Sequence, residues 1–123
     1  MKLYYIVGKV LDRLECASEE EIVAIINSLE SKIVANIFAP AGIESEERVL
    51  IADEDMEANL LLSADCENLY YYYIMTILSA KSMDIEGYEN YRKLFDSAYS
   101  ELAVYVRRNN KPVMRTKIGG SNI

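Results

Sequence analysis

The stretch DCENLYYYYIMTILSAKSMDIEGYENYRKLFDSAYSELAVYVRR, Asp65 to Arg108, decides the fold class of this 123-residue chain. Its apolar side chains recur three and four residues apart in two runs. The first run sets Leu69, Tyr72, Tyr73, Thr76, Ile77 and Ala80 on one side. The second sets Tyr88, Tyr91, Phe95, Ala98, Leu102, Tyr105 and Val106 on another. That spacing is the period of an amphipathic helix. The pattern breaks at Asp84–Gly87, so the stretch reads as a helical hairpin whose halves cover each other. It holds eight of the ten tyrosines. With Tyr72 and Tyr73 on the inward stripe, Tyr70 and Tyr71 are expected to look outward, and exposed tyrosine is characteristic of protein interfaces.

Working outward, Asp65 is placed to cap a third helix, Cys66–Met83, and Glu86 or Gly87 starts a fourth. That fourth helix is expected to end at Asn109-Asn110-Lys111-Pro112, where Arg107, Arg108 and Lys111 suit the negative end of the helix dipole. Upstream, Leu3, Ile6, Val7, Val10, Leu11 and Leu14 mark a first helix. Ser18-Glu19-Glu20-Glu21 is a capping box, with the Ser18 hydroxyl accepting from an amide and Glu21 reaching back. The second helix then carries Ile22, Ile25, Ile26, Leu29, Ile33 and Ile37, and stops before Pro40-Ala41-Gly42.

Residues 43–63 differ. Two short β-capable runs, Val49-Leu50-Ile51 and Leu60-Leu61-Leu62, flank an acidic centre, Asp53-Glu54-Asp55-Met56-Glu57. A β-hairpin or extended arm is expected here, with a short helix over Glu54–Leu62 as the competing reading. The tail from Val113 alternates weakly, suiting either an arm that pairs with a neighbour or a disordered end. The sequence therefore predicts an all-α protein, a small bundle of about four helices. It carries a protruding loop or short β-hairpin at about 43–63. Residues 1–112 form a single helical domain, and 113–123 an extended or flexible C-terminal arm.

Composition narrows the function. With 51% apolar and 27% charged residues, the chain has the balance of an ordinary globular domain. Its size suffices to bury roughly two thirds of the unfolded surface. The longest apolar run, Leu69–Ala80, is too short to span a bilayer and contains four tyrosines, and the start lacks a secretory pattern. A cytoplasmic protein without a membrane partner is expected. There is no histidine, which removes the usual general base, the commonest metal ligand and every Ser-His or Cys-His pair. No Gly-rich phosphate loop is present, since Gly119-Gly120 has no helix after it. The acidic cluster lacks the ligand spacing and turn glycine of a calcium loop. Catalytic residues, metal and cofactor are all expected to be absent, and with them a small-molecule substrate. Cys16 and Cys66 read as free thiols. Cys66 falls in a first helical turn, where the dipole would lower its pKa, or else simply fills the helix start.

The net charge of −7 is uneven. Glu15 to Glu67 carries a balance of −12, and Asn68 to the end a balance of +3. Surfaces of opposite sign suit head-to-tail contact between copies. No concentrated basic face exists for a nucleic-acid footprint. Such a chain reads as a helical binding or assembly protein.

The order of motifs from Glu57 to Pro112 resembles a known family. Asn59-Leu60-Leu61-Leu62, a polar break and Asp65…Leu69-Tyr70-Tyr71-Tyr72-Tyr73-Ile74-Met75 come first. Gly87-Tyr88-Glu89-Asn90-Tyr91…Leu94-Phe95-Asp96-Ser97-Ala98-Tyr99 follows, then Tyr105-Val106-Arg107-Arg108…Lys111-Pro112. This succession is similar to the small head–tail connector (adaptor) proteins of tailed phages and prophages of Gram-positive bacteria. It covers about half the chain, and the N-terminal half matches by pattern alone. The chain departs from the family at Cys66-Glu67-Asn68, where a Pro-Tyr-Asp-like helix start is common. The resemblance implies a virion assembly protein that forms a ring on the portal protein after DNA packaging and seats the stopper or tail-completion protein. DNA would pass through the ring without sequence-specific recognition. It further implies work in the bacterial cytoplasm during assembly and a final place at the head–tail interface. On this reading Val49, Leu50 and Ile51, together with Val113, Met114 and Ile118, are contacts to neighbouring copies or portal. Arg107, Arg108 and Lys111 would meet Asp53, Glu54 and Asp55 of an adjacent copy. The alternative is a cytoplasmic helical regulator that binds a host partner in the groove of the tyrosine-rich hairpin.

Overall fold

Leu3, Ile6, Val7 and Val10 share one face of the first helix, α1 (Leu3–Arg13), and all four are buried. The computed structural model describes residues 1–14, 16–46 and 48–118, with side chains as far as Asn109. In α2 (Glu19–Ile33) the Ser18 hydroxyl accepts from the Glu21 amide at 3.1 Å, as the capping box requires. Glu21 does not reach back to the cap. Its carboxylate instead pairs with Lys81, tying the start of α2 to the end of the third helix. The helix loosens into a π-turn over Val34–Phe38, where the Ala39 amide donates to the Val34 carbonyl. It then closes in a Schellman turn. The Ile43 amide donates to the Phe38 carbonyl, and the Gly42 amide to the Ala39 carbonyl. Gly42 takes φ 80°, the left-handed conformation that glycine adopts without steric cost.

A 3₁₀ turn, Ala64–Cys66, leads into α3 (Glu67–Lys81). Asp65 therefore lies inside that turn and does not cap α3. Cys66 holds the cap position with no side-chain hydrogen bond. α4 begins at Ile85, earlier than expected, because Asp84 caps it: its Oδ1 accepts from the Gly87 amide at 3.0 Å.

α3 is the central helix and packs on α1, α2 and α4. Leu69, Tyr70, Ile74, Met75, Thr76, Leu78 and Ser79 are buried, whereas Ile77 and Ala80 are exposed. The expected single stripe is thus corrected, and Tyr70 in particular is wholly inside the core. A helix wedged between partners has two buried faces, and reading its period as one stripe picks out the wrong arc. Tyr72 and Tyr73 do meet α4, with ring centroids 6.5 Å from Tyr91 and 5.0 Å from Phe95.

α4 (Ile85–Ile118) has 34 residues, about 51 Å, against about 22 Å for α3. Past the start of α3, its residues Ala103 and Arg107 reach the π-turn at Ile37 and Pro40, and Val106 is buried. The helix passes through Pro112 rather than ending there, so the extended arm expected from Val113 is helical backbone to Ile118. Proline removes one donor but has helical φ, and the first glycines that could end the helix come after Ile118. Residues 119–123 of that expected arm lie outside the described residues.

Residues 43–63 neither protrude nor form a hairpin, and the competing helix over Glu54–Leu62 is absent too. Among the described residues there is no strand, only one antiparallel bridge between Lys2 and Asn59. The segment is stitched to the start of α1: Leu3 donates to the Ala58 carbonyl, Tyr4 to that of Met56, and Leu60 to that of Met1. Its apolar runs serve as anchors, with Leu50, Leu60 and Leu62 in the core. The all-α helical bundle stands.

Candidate interaction surface

Two side chains one turn apart on α2 grip the 48–62 segment. The Asn27 amide pairs with both backbone groups of Leu50, its Oδ1 accepting and its Nδ2 donating, each at 3.0 Å. Glu30 is buried, and its Oε2 accepts from the Leu61 amide at 2.7 Å and from the Tyr70 hydroxyl at 2.8 Å. The Tyr70 oxygen in turn accepts from the Leu62 amide at 3.0 Å. Arg48 completes the cluster, donating to Glu30 Oε1 at 3.3 Å and to the Asn59 carbonyl at 2.7 Å. A carboxylate can be buried only when it is paired and hydrogen-bonded, and here it is both. Burial, and next the Glu30 charge, push the Tyr70 phenol far above its ordinary pKa.

This clamp decides what the segment shows to solvent. Leu50 points inward at 5% exposure, while Val49 and Ile51 point outward at 75% and 51%. Just beyond, the Asp55 carboxylate accepts from the Ile51 amide at 2.7 Å, and Asp53 turns the chain at φ 73°. Asp53 and Glu54 are left exposed on the turn.

Of the residues expected at an interface, Val49, Ile51, Asp53, Glu54, Arg107 and Arg108 are on the surface. Leu50 and Tyr70 are not, because their backbone or hydroxyl groups are committed to α2. Tyr71 is only half-exposed, edge-on to Tyr91 at 6.1 Å with Lys9 4.7 Å above its ring. Burial and Tyr91 push its phenol pKa upward. Among the described residues, no ion pair engages Asp53, Glu54, Arg107 or Arg108. Lys111, Val113, Met114 and Ile118 fall on the α4 backbone, but their side chains lie outside the described ones.

A second surface feature is an apolar groove of about 690 Å³ between the start of α3, the middle of α4 (94–106) and the 61–66 stretch. Phe38, Ile43, Leu62, Leu69, Leu94 and Leu102 wall it, and its charged lining is Asp65 and Glu101. Cys66 lines it too. The expected lowering of its thiol pKa is overturned: burial, and then the Asp65 charge, raise it. The groove lies along the tyrosine-rich hairpin, lined by Leu69 and Tyr72 of α3 together with Leu94, Leu102 and Tyr105 of α4, whereas Tyr70 is in the core and Tyr73 packs against Phe95.

Asn27, Glu30 and Arg48 were not singled out from the sequence. The signal was present: Glu30 stands on the inward arc, four residues after Ile26, and Arg48 is one of two cations between Glu15 and Glu67. No described helix is long and apolar enough to cross a membrane. Comparison with family models, with curated proteins and with solved structures found no match.

Proposed function

We propose that this chain is a structural virion assembly protein, a head–tail connector that docks on a portal protein as a ring and seats the stopper or tail. It acts by contacts between copies, without catalysis. The observation that carries this reading is a pair of opposite surfaces, neither of which has an ionic partner among the described residues. One is the Asp53-Glu54 turn with Val49 and Ile51 beside it; the other is Arg107 and Arg108 on α4. Complementary patches of this kind direct copies into head-to-tail register. The Asn27 and Glu30 clamps fix Leu50 and Leu61 on either side of the acidic turn to α2, so little order is lost when a neighbour binds it. The motif order of the tyrosine-rich half supports the same reading. In it the chain works in the bacterial cytoplasm during assembly and ends at the head–tail interface of the virion.

Electron microscopy of lysates from the parent phage or prophage lacking this gene tests the proposal. Full or DNA-leaking heads beside separate, complete tails are expected. Normal infectious particles would overturn it. A second reading, a helical regulator binding one host protein, draws on the apolar groove. Normal particles, together with a single host protein bound stoichiometrically by the purified chain, would favour it.

A further inference from the structure

We infer that the apolar groove receives the C-terminal end of α4 from a second copy of this chain. The inference deepens the self-association in the proposed function and rests on that part of it. The groove keeps Leu94 and Tyr105 exposed at 46% and 65%, which is apolar surface left to a partner. Among the described residues its charged lining is acidic, Asp65 and Glu101, and Glu44 and Glu46 edge the depression that shares Ile43 with it. An occupant of matching chemistry is apolar and basic. From Arg107 to the end the chain has five basic residues and no acidic one, with Val113, Met114 and Ile118 among them. In that helical backbone, Met114 and Ile118 stand four residues apart, as do Lys111 and Arg115, so both chemistries recur on the turns of one helix end.

The end of α4 runs away from its own groove. Among the described side chains Val106 is the last to line it, and Met114 and Ile118 lie about 12 and about 18 Å further along the same helix. The contact is therefore between copies and heterologous, joining the α4 end of one to the groove of the next. Such contacts close into a ring when the rotation permits.

Cys66 lines the groove and supplies the probe. The full chain with Cys16→Ser and Met114→Cys, mixed from isotopically labelled and unlabelled protein, is oxidised with diamide, which accepts the two electrons and two protons. Mass spectrometry should find a disulfide between Cys66 of one copy and the thiol introduced at position 114 of another. Its yield should fall at least about fivefold on adding Leu94→Glu, and fall in high salt, where the acidic lining is screened. A yield no greater than from Asp96→Cys, which is exposed and outside the groove, overturns the inference. As a check free of engineered thiols, a labelled peptide of residues 107–123 should bind the unmodified chain, and should bind the Leu94→Glu chain at least about tenfold more weakly. No anisotropy change at millimolar protein overturns it as well. If both tests fail while deletion still separates heads from tails, the groove assignment falls and the connector reading stands. If both succeed while deletion leaves normal particles, the self-association stands and the connector reading falls.

Discussion

The Tyr70 hydroxyl donates to Glu30 Oε2 at 2.8 Å and, through the same oxygen, accepts from the Leu62 amide at 3.0 Å. One phenol thus joins α2, α3 and the 48–62 segment inside the core. Tyr70→Phe leaves the Leu62 amide unsatisfied and the carboxylate one donor short. A loss of about 1–3 kcal/mol is expected in urea unfolding. Amide exchange at Leu61 and Leu62 should quicken more than in α1. A change under about 0.5 kcal/mol would mean that the phenol does not hold the segment.

Alkaline pH should attack the same contact. Burial, then Glu30, raise the Tyr70 pKa in the folded state. The folded protein therefore keeps this proton to higher pH than the unfolded chain, whose tyrosine titrates near 10. Stability from this group is intact below about pH 10 and declines above it, by up to about 1.4 kcal/mol per unit. The urea midpoint of the native chain should fall more steeply with pH in that range than that of Tyr70→Phe. Parallel curves would refute a raised pKa.

Met83 occupies the position at the end of α3 that glycine usually takes. The Asp84 amide donates to the Ser79 carbonyl, the Met83 amide donates to that of Ala80, and Met83 sits at φ 63°. Its side chain is 82% exposed and contributes little packing. Met83→Gly should stabilise the fold by about 1 kcal/mol, because a left-handed non-glycine residue costs about that much. Thermal unfolding would show a higher midpoint. An unchanged or lower one would mean that Met83 makes contacts its exposure conceals.

At the other side of the same turn, Gly87 is needed for its missing Cβ. A methyl group there would collide with the Asp84 carboxylate that caps α4 and crowd the Ser79 hydroxyl at 3.1 Å. Gly87→Ala should forfeit the cap, about 0.5–2 kcal/mol, although alanine is the better helix former. In an Asp84→Ala background the same change should cost much less. Equal costs in both backgrounds would show that the cap is not what glycine protects.

Assembly should respond to charge reversal. On the proposed connector reading, Arg107→Glu is expected to weaken ring formation on a portal, and reversal at Asp53 or Glu54 to restore part of it. Among the described residues neither partner is engaged in an ion pair, so folding stability should be little changed by either substitution. Sedimentation of the portal-bound complex reads the coupling. Simple additivity of the two defects would rule out this pairing.

Much of the chain was legible because its signals are local. The Ser18 cap and the Gly42 stop each need only a few neighbouring residues and are where the sequence places them, while the break expected at Asp84–Gly87 falls slightly earlier, at Ser82–Asp84. The α4 stripe was also legible apart from Tyr105, which is exposed, since that helix packs along one side and Phe95 and Val106 are buried on it. Glu30 and Arg48 were not, because a buried carboxylate is meaningful only once its partners, 18 to 40 residues away, are known.

The sequence by itself determined four helical segments, the Ser18 cap, the uneven charge and the absence of histidine chemistry, all of which follow from composition, period and local signals. Only the tertiary structure decided which arc of α3 is inside, because two partners rather than one cover that helix. It also turned the β-capable runs of residues 48–62 into anchors, since Asn27 and Glu30 satisfy backbone groups that a hairpin would have paired with itself. That exchange of partners is why Leu50 and Tyr70 are core residues, while Val49 and Ile51 are left exposed.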